Sequence, residues 1–179
     1  MSAGRRARRN LPTPWWRGCR WAVAKNGYVS IADDEGPNTR VAKFSGDGKS
    51  GEGKFIKWWG GKGTDPGEFN VPPSITIDSK GRVYVVDRSN NRIQIFDENG
   101  KFVNQWTNFG TPWGLFIKGD HLCRGWNPTQ QAALIAGIED GKVRETIGGL
   151  NNATAVTVDS HGAIHVGEVN GMNVKKFVR

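Results

Sequence analysis

One pattern, met three times along the chain, constrains its fold more than any other feature. Gly27-Tyr28-Val29-Ser30-Ile31-Ala32-Asp33 leads on to Asn38-Thr39-Arg40-Val41-Ala42-Lys43-Phe44. Gly81-Arg82-Val83-Tyr84-Val85-Val86-Asp87 leads on to Asn90-Asn91-Arg92-Ile93-Gln94-Ile95-Phe96. Gly162-Ala163-Ile164-His165-Val166-Gly167-Glu168 leads on to Asn170-Gly171-Met172-Asn173-Val174-Lys175-Lys176-Phe177. Each copy is a glycine, an alternating strand, an acid, a polar turn and a second alternating strand ending in phenylalanine. Self-similarity on this scale describes an array of stacked units rather than a single wound core.

The spacing identifies the unit. Gly81 and Gly162 stand two periods of about forty residues apart, the length of a four-stranded propeller blade. Before each glycine lies an Asp-Ser-x-Gly step, Asp78 to Gly81 and Asp159 to Gly162. This is hairpin-turn chemistry, because Asp and Ser bond nearby backbone and Gly accepts positive φ. Alternation places Val83, Val85, Ile93 and Ile95 on faces that stacking buries. A degenerate copy lies between. Thr111-Pro112-Trp113-Gly114-Leu115-Phe116-Ile117 stands where its lead-in strand belongs, and Asp140-Gly141-Lys142-Val143 matches Asn99-Gly100-Lys101-Phe102-Val103. Asp47-Gly48-Lys49 reads as the same turn in the first copy, with Gly53 to Gly60 as its outer strand, and Gly60 to Gly67 reads as a connecting loop. The expected fold is all-β, a β-propeller of about four four-stranded blades. The 25 glycines agree with a turn-rich chain. Thr129 to Ile138 has helical composition, but its repeat position predicts strand or loop.

The net charge of +8 is concentrated at one end. Arg5, Arg6, Arg8, Arg9, Arg17 and Arg20 fall in the first twenty residues without an acid, and the remainder is nearly neutral. Residues 1–20 therefore read as a basic, disordered arm ahead of a propeller domain at 21–179. Arg5, Arg6, Arg8 and Arg9 are the positions through which such an arm meets nucleic acid or an anionic surface. Trp15, Trp16 and Trp21 have the chemistry to stack on bases, although Trp21-Ala22-Val23-Ala24 reads as a strand packed on the first blade. The segment from Trp15 is a candidate for a strand that seals the ring. No apolar run is long enough for a membrane-spanning helix. Arg5 and Arg6 are not followed by the apolar segment of an export signal, which makes a cytoplasmic location the default. A secreted one stays open if the N-terminus is incomplete. Cys19 and Cys123 lack metal-type spacing; a disulfide between them is one reading and two free thiols the simpler one.

Val71-Pro72-Pro73-Ser74-Ile75-Thr76-Ile77-Asp78 followed by Val85-Val86-Asp87-Arg88-Ser89-Asn90-Asn91-Arg92-Ile93-Gln94-Ile95-Phe96 resembles the NHL repeat. The branch it most resembles is the bacterial NHL propellers related to peptidyl-α-hydroxyglycine α-amidating lyase. Asn38 to Phe44, the connector Gly63-Thr64-Asp65-Pro66-Gly67-Glu68-Phe69 and the final strand pair from Glu168 to Arg179 are each similar to segments of that branch. The resemblance implies a six-bladed ring, of which about four blades fit here. It also implies zinc held by channel histidines. The matching positions, five residues before Asp78 and before Asp159, hold Pro73 and Thr154, and neither is a good zinc ligand. Of the histidines present, His165 occupies the strand position of Tyr84 and His161 a turn tip. His121 and His165 are the metal-ligand candidates that remain.

Arg40 matches an arginine that faces substrate in the lyase, but Arg92 repeats it, which favours a role within the blade. Asp33, Asp87 and Glu168 recur in the same way and are expected to bond turn backbone. Arg88 breaks the repeat and is the better binding candidate, since an unpaired guanidinium at a channel mouth grips a carboxylate in two places. Trp58, Trp59, Trp106, Trp113 and Trp126 are the aromatic candidates, with Trp58, Trp59 and Trp106 expected to pack between blades. The favoured function is a non-catalytic binding module for a protein or peptide, with Arg88, Arg40 and Trp113 as its contacts and open blade edges inviting a homo-oligomer. Two alternatives stand beside it. One is a metal-dependent amidating-lyase activity using zinc or calcium, with Arg40 or Arg88 on the substrate carboxylate. The other is RNA binding through the arm or a propeller face.

Overall fold

The computed structural model describes residues 20–34, 38–46, 53–125 and 131–178. Its strands form four antiparallel sheets in chain order. Blade 1 holds β1 (Arg20–Val23), β2 (Val29–Asp33), β3 (Arg40–Ser45) and β4 (Lys54–Gly60). Blade 2 holds β5 (Ile75–Ile77), β6 (Val83–Asp87), β7 (Arg92–Phe96) and β8 (Phe102–Trp106). Blade 3 holds β9 (Leu115–Lys118), β10 (His121–Arg124), β11 (Ala133–Gly137) and β12 (Val143–Ile147), and blade 4 holds β13 (Ala153–Val158), β14 (Ile164–Glu168) and β15 (Asn173–Phe177). Each sheet is a simple meander, and the innermost strands β1, β5, β9 and β13 pack in succession. The architecture is a β-propeller. Blade 4 has three strands among the described residues, where the repeat leads one to expect four. The segment with helical composition contains strand β11, Ala133–Gly137, in keeping with its repeat position. The basic arm with Arg5 to Arg9, Trp15, Trp16 and Cys19, the Asp47-Gly48-Lys49 turn, and Trp126 all lie outside the described residues.

Hairpins form where one side chain organises a turn. Asp78 accepts the N–H groups of Lys80 and Arg82. Asp97 does the same for Asn99 and Lys101, and Asp159 for His161 and Ala163. The glycine that follows, Gly81, Gly100 or Gly162, takes the positive φ that closes the turn.

Alternation then sends two faces of each blade into two different cores. Val83, Val85, Ile75 and Phe96 of blade 2 pack on Ala32, Val41 and Trp59 of blade 1. Tyr84, Val86, Ile93, Ile95 and Trp106, on the opposite face, pack on Leu115, Leu122, Leu134 and Ile138 of blade 3. A third core joins Cys123, Ile135 and Ile147 to Ile164 and Val166 of blade 4. Each such aliphatic side chain contributes about 1.5–3 kcal/mol by leaving water.

Two joints repeat residue for residue. Trp59 is next to last in the outer strand of blade 1 and lies on Gly100 in the outer turn of blade 2. A Cβ built on Gly100 would stand 2.5 Å from the Trp59 ring. Trp106 ends the outer strand of blade 2 and lies on Gly141 in blade 3, where a Cβ would also stand 2.5 Å from the ring. Polar ties run alongside. Lys43 and Lys57 donate to the carbonyls of Glu98 and Asn99 at 2.6 and 2.7 Å. Arg82 and Lys80 meet Glu139 at 2.7 and 2.8 Å. Trp58, grouped with Trp59 and Trp106 on sequence, points to the other face of blade 1 and is half-exposed, because adjacent residues of a strand face opposite ways.

Candidate functional site

The connectors between blades and the turns joining second to third strands share one rim, since all lie at the same ends of antiparallel strands. Asp87 organises this rim at blade 2. It is fully buried and accepts the N–H of Asn70 at 2.7 Å, the Asn90 amide at 2.9 Å, Arg92 Nε at 2.7 Å and the Gln94 amide at 3.0 Å. Arg92 in turn donates to the carbonyls of Asp65 and Glu68, each at 2.9 Å. One buried ion pair thereby fixes the whole connector from Asp65 to Asn70. Glu168 repeats the arrangement in blade 4, accepting the N–H of Asn151 at 2.6 Å, which holds its carboxyl below its ordinary value. The recurring acids and Arg92 are elements of the blade, as the repeat predicts. Arg40 occupies the matching place in blade 1: it is buried, 3.4 Å from Asp33, with its guanidinium 5.8 Å from the Trp58 ring centre.

Arg88 is different. It begins a single 3-10 turn, Arg88–Asn90, that Asn91 closes in the left-handed conformation at φ 54°. Its N–H donates to the carbonyl of Val71 at 3.2 Å. Val71 has φ 57°, a conformation that a β-branched residue adopts only under strain. Asn152 holds the equivalent place before blade 4, at φ 58°, and accepts from Val169 in the same way at 3.1 Å. The strained valine orients the backbone from which the Arg88 side chain leaves the rim. That side chain reaches across to blade 3, where its guanidinium lies 4.2 Å from the centre of the Trp113 ring. Thr111 Oγ1 donates to Asn91 Oδ1 at 3.0 Å beside it and ties the two loops together.

The guanidinium has no carboxylate partner among the described residues, and Arg88 is only half-buried. Its central carbon stands over the indole. Arginine held over an aromatic ring is a group that can take a carboxylate through two parallel hydrogen bonds. Two of the three binding residues expected from sequence, Arg88 and Trp113, thus meet, and Arg40 lies apart in blade 1. Sequence reasoning gave no role to Val71, Asn91 or Thr111. The asparagine at the position matching Val71 was the one available hint.

The residues for zinc do not come together. Pro73 and Thr154 stand at the matching positions. His121 Nδ1 lies 2.6 Å from Asp120 on blade 3, and His165 Nε2 lies 3.0 Å from Asp159 on blade 4. The His165 hydrogen bond, with the N–H groups of Ala163 and His161, holds the Asp159 carboxyl well below the usual range. Among the described residues no three His, Cys, Asp or Glu side chains converge as a metal site.

Residues 69–96 match the NHL repeat model. Human NHL repeat-containing protein 3 is 34% identical over 173 residues, covering 87% of this chain and 48% of that protein. Peptidyl-glycine alpha-amidating monooxygenase B of Xenopus laevis is 39% identical over 74 residues, 38% of this chain and 8% of that protein. The chain thus spans about half the length of the first relative and a small part of the second. A protein of unknown function from Bacteroides caccae superposes with a TM-score of 0.65 at 12% identity, over 93% of this chain and 65% of that one. That likeness is one of fold.

Proposed function

We propose that this chain, a β-propeller built of NHL repeats, is a binding module that takes a protein or peptide carboxylate at Arg88 over Trp113. The observation that carries the reading is the half-buried guanidinium stacked at 4.2 Å on an indole with no acidic partner among the described residues. Three other arginines each have an acid beside them. Asp78 and Glu139 hold Arg82, Asp87 holds Arg92, and Asp33 holds Arg40. A rim arginine supported by an aromatic plane and a pinned turn is preorganised, so little side-chain freedom is lost on binding. The rigid scaffold and its rim loops suit recognition.

An array of peptides ending in free or amidated C-termini, with and without internal acids, tests the reading. Carboxylate-bearing peptides are expected to bind, with at least about tenfold loss on Arg88→Ala or Trp113→Ala and partial rescue by Arg88→Lys. The thermal midpoint should hold in the Arg88 variants. Equal binding by wild type and Arg88→Ala would remove the site from consideration.

A further inference from the structure

At the ends of the blades opposite the rim, the joint between blades 1 and 2 is built of different residues from the joint between blades 2 and 3. In the second joint Tyr84 fills the space. Its hydroxyl lies 3.2 Å from Asp78 Oδ2 and 3.3 Å from the Ile138 carbonyl. Arg82 meets both Asp78 and Glu139 beside it, and Ile95 packs in the same core. The repeat puts Ser30 in the place of Tyr84, Tyr28 in that of Arg82, Ala24 in that of Asp78 and Lys43 in that of Ile95. Serine and alanine do not fill what tyrosine and aspartate fill. A cleft of about 170 Å³ results, with Lys25, Asn26, Asp78, Lys80 and Glu98 among its walls. An inner pocket of about 20 Å³ shares Ala24, Asn26, Gly81 and Glu98 with it and is lined by Ser30 and Lys43.

Lys43 sets the chemistry of this space. It is 7% exposed. Its ammonium donates to the Glu98 carbonyl at 2.6 Å and stands 4.4 Å from the centre of the Tyr28 ring. An ammonium carries three N–H donors, so a single carbonyl leaves it under-satisfied. Among the described residues no carboxylate pairs with it, whereas Lys80 and Arg82 at the next joint both end on Glu139. A buried cation is costly unless an opposite charge and further acceptors reach it.

The surrounding groups decide which anion suits. Asp78 is fully engaged by the N–H groups of Lys80 and Arg82, the Arg82 guanidinium and the Tyr84 hydroxyl. Lys80 is held by Glu139. Lys25 and Asn26 are exposed at the mouth, one a cation and the other an amide. Glu98 and Asp78 border the same cleft, so a doubly charged phosphate is repelled more strongly there than a singly charged carboxylate.

We propose that the cleft between blades 1 and 2 is a binding site for a small monocarboxylate. The carboxylate meets the Lys43 ammonium and the Ser30 hydroxyl in the inner pocket, and the rest of the molecule lies in the outer cleft beside Asn26 and Gly81. The site is separate from Arg88 and Trp113 and does not depend on them.

The probe is sodium propionate, titrated into the full chain at constant ionic strength and followed by amide chemical shifts. Saturable shifts are expected at residues 26, 28, 30, 43, 81 and 98, with a Kd of about 1 mM or tighter. Propionamide has the same shape without the charge and should bind at least about tenfold more weakly. Lys43→Met should weaken propionate to the same degree. Ser30→Tyr supplies the side chain that blade 2 uses and should abolish the shifts. Should either variant fail to fold, the comparison of propionate with propionamide on the wild-type chain still decides. The Arg88→Ala protein should bind propionate at the cleft as wild type does. Absence of saturable shifts would mean that water alone fills the cleft. That result, shifts confined to residues 88 and 113, equal binding of propionamide, or tighter binding of inorganic phosphate would overturn the proposal.

Discussion

Gly141→Ala measures how strongly one blade holds the next. The residue has φ 64°, and an added methyl would stand 2.5 Å from two ring atoms of Trp106, a side chain that is 6% exposed. Two costs combine: about 1–2 kcal/mol for an L-residue in the left-handed region, and about 1–3 kcal/mol for forcing an extra carbon into a packed contact. The expected loss is therefore about 2–5 kcal/mol. Gly119 supplies the control. Its φ is 61°, and a Cβ there meets nothing within 4 Å, so Gly119→Ala should cost about 1–2 kcal/mol from backbone strain alone. Urea unfolding followed by tryptophan fluorescence, fitted with a common slope, yields both numbers. A third protein closes the argument. On a Trp106→Leu background, the additional cost of Gly141→Ala should fall toward that of Gly119→Ala. If the two glycine variants lose equal stability, or if Trp106→Leu leaves the Gly141 cost unchanged, the ring is not what the glycine accommodates and the reasoning fails.

Two more outcomes follow from the same structure. Val71→Asn places at φ 57° the residue that blade 4 uses at φ 58°, and should stabilise the chain by about 1 kcal/mol, raising Tm by about 2–4 °C; an unchanged or lower midpoint would mean that the valine's packing outweighs its strain. Glu139 is drawn from its ordinary value of 4.5 to about 2, first by the Arg82 guanidinium and then by Lys80. Its ionised form is thus favoured by folding, so its contribution is fully present above pH 4.5 and disappears as pH falls toward 2. Melting curves of wild type and Glu139→Gln should differ near neutral pH and converge on acidification, and a gap independent of pH would refute the assignment.

The elements legible in the sequence are those that a single side chain builds locally. Asp78, Asp97 and Asp159 each close their own turn, and the alternation from Val83 to Asp87 fixes both which residues are strand and which face they take. The Asp87–Arg92 pair could be read as a blade element because a repeated residue has a repeated partner. What could not be read was anything decided by docking. Trp106 and Gly141 meet only after two blades pack, and no local pattern marks either residue as half of a joint. The contact of Arg88 with Trp113 is of the same kind. Both residues were candidates in the sequence, but their stacking depends on a turn in one blade and a connector leading to the next. Val71 was hidden for the opposite reason, since local propensity argues against the conformation it adopts. Trp58 was misgrouped because adjacent tryptophans look alike in composition and face opposite ways in a strand.

The tryptophan-on-glycine joint also bears on how such arrays lengthen and diverge. Blade 2 carries one half of a joint, Trp106, at the end of its outer strand and the other half of a second, Gly100, in its outer turn, so a single repeat holds both mating parts. Duplicating a repeat therefore duplicates a working pair of mating parts, and the new unit seats between its neighbours without any change to them. Substitutions elsewhere in the blade, at rim positions such as Arg88, can then accumulate without disturbing how the units stack.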